Sequence, residues 1–166
     1  MNKLTLTAAA IALFASQAQA DLKAAFIEGA PKDRFVFENA GNCEISGGAI
    51  LLDLSSSPAG LIFDTTASGA GVEVFQPFEL VVGGDALSGT PTVVDGDTAI
   101  RLPISTLSPG ASIAFTIDVD DTTSTRAITV NGSEIAGAQV ILKQGGSAST
   151  ATFSKNALAT IDTHDC

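Results

Sequence analysis

The chain has 166 residues, 45% of them hydrophobic, and carries eight Lys and Arg against eighteen Asp and Glu, a net charge of −10 at pH 7. An acidic balance of this size argues against nucleic acid and anionic membrane surfaces as partners, because both are polyanions. It agrees instead with solubility outside the cell and with affinity for cations.

Residues 1–20 have the pattern of a secretory signal peptide. Lys3 supplies the positive start, residues 4–14 are mostly apolar, and Ala18-Gln19-Ala20 is an A-x-A cleavage site. The apolar segment is too short to span a bilayer. We expect cleavage to leave one domain, residues 21–166, with a net charge of −11, exported to the periplasm or the medium without membrane insertion. The alternative is an N-terminal helix of a cytosolic domain.

The rest of the chain predicts short strands separated by turns. Phe35 and Phe37 illustrate the pattern, since they share one face of a strand that alternates apolar and polar residues. Pro77 lies inside one extended run and predicts an edge position or a bulge, because proline cannot donate to a strand ladder. The predicted strands end at or cover residues 26–27, 33–38, 50–54, 61–64, 72–82, 100–104, 113–119, 139–143, 151–153 and 157–161.

Three turns punctuate these strands. Pro109-Gly110 suits the centre of a type II turn, because proline fixes φ and glycine tolerates a positive φ. Asp95-Gly96-Asp97 predicts a hairpin-like turn. Asn131-Gly132 is the strongest tight-hairpin pattern in the sequence and predicts flanking strands at residues 127–130 and 133–136.

These patterns predict an all-β domain. No long stretch after the signal peptide has helical periodicity, and strands recur about every ten residues with Gly and Pro between them. We favour an immunoglobulin-like sandwich of two antiparallel sheets, with a jelly roll as the alternative. No linker or internal repeat divides the chain.

The densest acidic cluster lies at the end of the clearest strand. Apolar residues alternate through 113–119, which places Asp118 and Asp120 together on the opposite, exposed face, about 6 to 7 Å apart. Asp121 begins the following loop, and Asp64 ends another strand. Calcium prefers six to eight oxygen ligands, so these four aspartates predict a low-affinity calcium site. The alternative is a solvated acidic surface without an ion.

The two cysteines, Cys43 and Cys166, predict a disulfide, because an even number of cysteines in an exported protein usually forms bridges. So long a closed loop would stabilise the fold by roughly 4 to 5 kcal/mol in a chain-entropy model. Two free thiols or an intermolecular bridge are the alternatives.

The sequence contains no pattern of a catalytic site. His164 is the only histidine, and neither a Gly-x-Ser-x-Gly nucleophile string, a phosphate-binding loop nor a zinc ligand set occurs. Asp118 and Asp120 could act as a glycosidase-type carboxylate pair. The chain has no Trp or Tyr on which a sugar could stack, however. We therefore expect a protein that is not an enzyme.

A resemblance to a known family is carried by four stretches, which are 28–35 (EGAPKDRF), 61–64 (LIFD), 69–79 (GAGVEVFQPFE) and 115–121 (FTIDVDD). They resemble a family of exported bacterial proteins named after the sponge aggregation factor core protein. The resemblance covers about residues 22–140 and implies calcium-dependent cell aggregation by analogy, without catalytic residues. It favours an exported adhesion or aggregation module of the surface or matrix that self-associates or binds a cell-surface glycan or protein. A metal-independent periplasmic structural or ligand-binding domain is the alternative.

Overall fold

A computed structural model describes residues 22–30, 32–72, 74–123 and 129–162. These ranges form ten strands, one 3-10 turn at Gly84–Ala86 and one short helix, α1. The elements are β1 (Leu22–Ile27), β2 (Asp33–Asn39), β3 (Ile45–Asp53), β4 (Ile62–Asp64), β5 (Glu79–Val82), β6 (Ala99–Leu107), β7 (Ser112–Asp120), α1 (Gly132–Ile135), β8 (Gln139–Gln144), β9 (Ser147–Thr152) and β10 (Leu158–Ile161).

The strands form two antiparallel sheets that pack against each other. One sheet has the order β10-β1-β2-β7, and both β4 and β5 then pair with the second edge of β7. The other sheet has the order β6-β3-β8-β9. This architecture confirms the predicted two-sheet antiparallel β-sandwich, in which β7 is an interior strand that pairs with β2, β4 and β5.

Aromatic side chains fill the space between the sheets. Phe35 and Phe115 lie on neighbouring strands with ring centroids 5.2 Å apart, and Phe26 and Phe63 contact Phe35 at 5.1 and 6.4 Å. Phe35, Phe63 and Phe115 have no exposed surface. Burial of one such side chain stabilises the fold by about 1.5 to 3 kcal/mol, so this cluster fixes how β2, β4 and β7 lie relative to one another.

The Pro109-Gly110 turn is confirmed. Ala111 N donates to Ser108 O at 3.0 Å, and Gly110 has a φ of +75°, as the third position of a type II turn requires. The turn joins β6 in one sheet to β7 in the other, so it is a connection between layers.

The prediction of a hairpin at Asn131-Gly132 is wrong. Asn131 is the N-cap of α1, where its Oδ1 accepts from Ser133 N at 2.8 Å while Glu134 accepts from Asn131 N at 2.8 Å. This reciprocal pair is a capping box, and it explains why residues 133–136 are not a strand. Of the strand predicted before the turn, residues 127–128 lie outside the described ranges, and the last two are not in a strand.

A tight hairpin lies instead at Gly145-Gly146. Both glycines have positive φ, +57° and +85°, and the turn joins β8 to β9 with Gln144 opposite Ser147. Two successive positive φ angles are the geometry that two-residue hairpins prefer. The sequence marked this site only as a break between strands.

Of the described residues in the extended run predicted at 72–82, which exclude residue 73, only Glu79–Val82 form a strand. Pro77 precedes this strand, and β5 pairs with β7 alone, which confirms the edge position. The Asp95-Gly96 turn is confirmed by a bond from Asp97 N to Val94 O of 2.9 Å. It is anchored by Gly96 N, which donates to Phe63 O at 2.9 Å.

Two predictions fall outside the described residues. The signal peptide at residues 1–20 is one, and the disulfide is the other, because Cys166 is not described. Both stay predictions. Among the described residues, no helix has the length and apolar character needed to cross a membrane.

Candidate metal centre

Three aspartates meet where β4 pairs with β7. Asp118 and Asp120 alternate with core residues of β7, and the antiparallel register places Asp64 of β4 directly opposite Asp118. One carboxylate oxygen from each of the three lies within 4.8 Å of the others. The sequence therefore placed these three residues together correctly. The predicted fourth ligand, Asp121, is buried but is not one of this group.

The predicted exposed face of β7 is wrong. Asp64, Asp118 and Asp120 are only 0%, 5% and 1% exposed. The chain that follows β4 covers them: Val72 N donates to Asp120 Oδ2 at 2.8 Å, and Asp118 N donates to Gln76 O at 3.2 Å. Alternation along β7 shows which residues face away from the core, but it cannot show that a distant loop returns over that face.

Gly71 lies directly over the carboxylates. A Cβ atom at this position would lie 2.3 Å from Asp120 Oδ2 and 2.3 Å from Asp64 Oδ2. Real Cβ atoms do not approach oxygen so closely, so the position requires glycine for space. The backbone of residue 71 thereby forms the lid of the aspartate group.

Asp95 holds the loop that carries Gly71. Its Oδ1 accepts from Thr65 N at 2.8 Å and Thr66 N at 3.0 Å, and its Oδ2 accepts from Ala70 N at 2.6 Å. These backbone hydrogen bonds, that from Thr65 above all, lower the pKa of Asp95 to about 2, so the carboxylate is ionised at neutral pH. The sequence indicated only a turn here. The signal available in the sequence was the loop of small residues, because its backbone amides need hydrogen-bond acceptors elsewhere in the protein.

Asp33 borders the group on the other edge of β7. This first residue of β2 is 4% exposed, and its Oδ2 accepts from Val119 N at 3.1 Å while its Oδ1 accepts from Gly29 N at 3.2 Å. The carboxylate thus extends the ladder past the end of β2. Burial raises its pKa to about 7. The sequence did indicate that Asp33 is buried, because strand alternation places it on the same face as Phe35 and Phe37.

The environment of the three aspartates disfavours their ionised forms. Burial, and then the charges of Asp120, Asp33 and Asp64, raise the pKa of Asp118 to about 7. Burial also raises the pKa of Asp64 and Asp120, and contact with the ionised Asp95 adds to the rise at Asp64. Two ionised carboxylates whose oxygens lie at the 4.8 Å limit of this group repel by roughly 3 to 4 kcal/mol at an effective dielectric constant of about 20.

Several of these oxygens are also unsatisfied. Both carboxylate oxygens of Asp64, and Oδ1 of Asp120, are buried without a hydrogen-bond donor among the described residues. Such atoms cost free energy unless a proton or a cation occupies the space between them. Carboxylate oxygens with backbone carbonyls nearby are the ligands that calcium prefers, so the residues present fit a hard divalent cation.

The fold and the site define a class of protein: a two-sheet antiparallel β-sandwich with a buried aspartate group where β4 pairs with β7. Comparison with protein-family models, curated proteins and solved structures finds no match. The resemblance to the aggregation factor core family, and the immunoglobulin-like classification, therefore stay predictions from the sequence.

Proposed function

We propose that the chain is an exported, non-enzymatic adhesion or aggregation module of the cell surface or matrix whose β-sandwich is stabilised by calcium. Asp64, Asp118 and Asp120 hold the ion. The observation that supports this proposal is a group of three buried carboxylates within 4.8 Å of one another, in which both oxygens of Asp64 and Oδ1 of Asp120 have no donor among the described residues.

The three aspartates are covered, which favours a structural ion over a catalytic site. A catalytic carboxylate pair needs open space for a substrate beside it. Here the backbone of Gly71 lies against the carboxylates, and Val72 N is bonded to Asp120. A small cation fits beneath such a lid, whereas a sugar ring would displace it.

The net negative charge of the domain provides a way for bound calcium to promote association. Copies with a net charge of −11 repel each other. A bound divalent cation removes part of that charge and fixes the loops around it, which favours self-association or binding to a cell-surface glycan or protein. This step also rests on the resemblance of the sequence to the aggregation factor core family.

Calorimetry on the chelator-treated mature chain, residues 21–166, tests the metal site. Calcium at millimolar concentration should give a heat of binding and raise the melting temperature, and Asp118→Asn/Asp120→Asn should lose both effects. Asp85→Asn/Asp162→Asn is the matched control, because it removes two exposed charges. If the wild-type chain gives neither heat nor a melting shift, the metal-independent periplasmic structural or ligand-binding domain becomes the better proposal.

The association is tested separately with beads that carry the mature chain. We expect the beads to cluster in calcium and to disperse when EGTA is added, and beads with Asp118→Asn/Asp120→Asn to stay dispersed. Calcium binding without clustering would leave a calcium-stabilised domain and remove the adhesion proposal.

A further inference from the structure

The segment that covers the aspartates is held to the domain without buried side chains among its described residues. We call residues 65–72 and 74–76, between β4 and β5, the strap. None of these residues is buried; all are half-buried or exposed. Apolar burial is the main force that holds most segments to a fold, so the strap depends on other contacts.

Those contacts are hydrogen bonds to the acidic groups and to the strands that carry them. Asp95 accepts three strap amides, and Asp120 accepts the amide of Val72. At the far end, Gln76 N donates to Asp64 O at 3.3 Å, and Gln76 O accepts from Asp118 N at 3.2 Å. The strap is therefore held both by Asp95, which is not part of the candidate metal site, and by Asp64, Asp118 and Asp120, which form that site.

The closed strap also raises the electrostatic free energy of the carboxylates beneath it. It removes Asp64 completely from water, although neither of its side-chain oxygens has a donor among the described residues. Opening the strap would return these carboxylates to water without disturbing the phenylalanine core, because the core lies on the opposite face of β7. A cation bound between the carboxylates would compensate their charge, so opening the strap would no longer lower the free energy.

We propose that the strap is a calcium-dependent clamp: it is closed over Asp64, Asp118 and Asp120 when the cation is bound, and it opens locally when the cation is removed, while the sandwich stays folded. Gly71 is the positioning residue of this clamp, since only a residue without Cβ lets the backbone reach the carboxylates. The inference rests on the calcium site proposed above and adds that the ion controls the conformation of one segment.

Hydrogen exchange read by mass spectrometry tests the clamp on the mature chain in calcium and in EGTA. The amides of Thr65, Thr66, Ala70 and Val72 should exchange at least tenfold faster in EGTA. The amides that pair β2 with β7 should keep their protection, because those strands do not depend on the strap.

A variant tests the role of Gly71 independently. Gly71→Ala should lose strap protection even in calcium and should weaken calcium binding at least tenfold in calorimetry. Gly89→Ala is the control, because a Cβ there meets only Pro103 Cγ at an ordinary 3.7 Å. If Gly71→Ala does not fold, the wild-type exchange comparison alone decides the question.

The outcomes separate this inference from the proposed function. Calcium binding in calorimetry with unchanged strap exchange would overturn the clamp and leave the calcium site standing. Absence of calcium binding would overturn both. Loss of protection throughout β2 and β7 in EGTA would also overturn the clamp, because the ion would then control the whole domain.

Discussion

Asp118→Asn should have opposite effects on stability with and without calcium. In EGTA at pH 8 the wild-type Asp118 is ionised in the folded state, although it is 5% exposed and its pKa is raised to about 7 from an ordinary value of 3.8. A rise of about three pKa units corresponds to about 4 kcal/mol. Asparagine keeps the shape and removes the charge. We therefore expect the variant to be more stable than the wild type in EGTA, by about 2 to 4 kcal/mol with the strap closed and by less once opening of the strap returns Asp118 to water.

In millimolar calcium the order should reverse, because the variant has lost a ligand and the wild type gains the free energy of binding. Urea unfolding followed by far-UV circular dichroism measures both cases, since the chain has no Trp or Tyr for fluorescence. Asp85→Asn, on an exposed residue, should change neither value by more than about 0.5 kcal/mol. If Asp118→Asn destabilised the metal-free domain, the reasoning about repulsion in this group would be refuted.

Three further outcomes follow from the structure, and a fourth follows from the two cysteines of the sequence. In EGTA the melting temperature should fall as pH rises from about 4 to about 7, because the two carboxyl groups with a pKa near 7 bind protons more tightly in the folded state; a rise over that range would contradict this. Phe115→Ala should cost about 3 to 5 kcal/mol in urea unfolding, and the control Val94→Ala, on an exposed side chain, less than about 0.5. Asn131→Ala should cost about 1 kcal/mol by removing a helix cap, and an unchanged urea midpoint would argue against the capping box. Non-reducing peptide mapping should yield one Cys43–Cys166 peptide, whereas two alkylatable thiols would exclude that bridge.

The sandwich could be predicted because its signals are local. Alternation through residues 113–119 marks a strand and its core face without reference to any other part of the chain. The Pro109-Gly110 turn likewise depends on two neighbouring residues. Asn131-Gly132 misled because the same pair suits a tight turn and a helix cap, and Glu134 decides in favour of the cap.

The aspartate group was half predictable. Asp118 and Asp120 share a face by periodicity, and Asp64 joins them because two strand ends lie side by side. Asp33 and Asp95 were missed because their contacts join parts of the chain that are far apart in sequence. Asp33 accepts from Val119, 86 positions later, and Asp95 accepts from backbone amides 25 to 30 positions earlier. The cover over β7 depends on the path of a loop, which no local pattern records.

β4 and β5 lie end to end along one edge of β7, with Asp64 opposite Asp118 and Glu79 opposite Thr116. Residues 65–78 are therefore a detour from what is otherwise one interrupted edge strand. Both ends of this detour are fixed by the same neighbouring strand, and the entropy of closing a loop rises only slowly with its length. Extra residues inserted between Ala67 and Ser68, both exposed, would leave the sheet register unchanged. Such an insertion would instead separate the amides of Thr66 and Ala70, which Asp95 binds together.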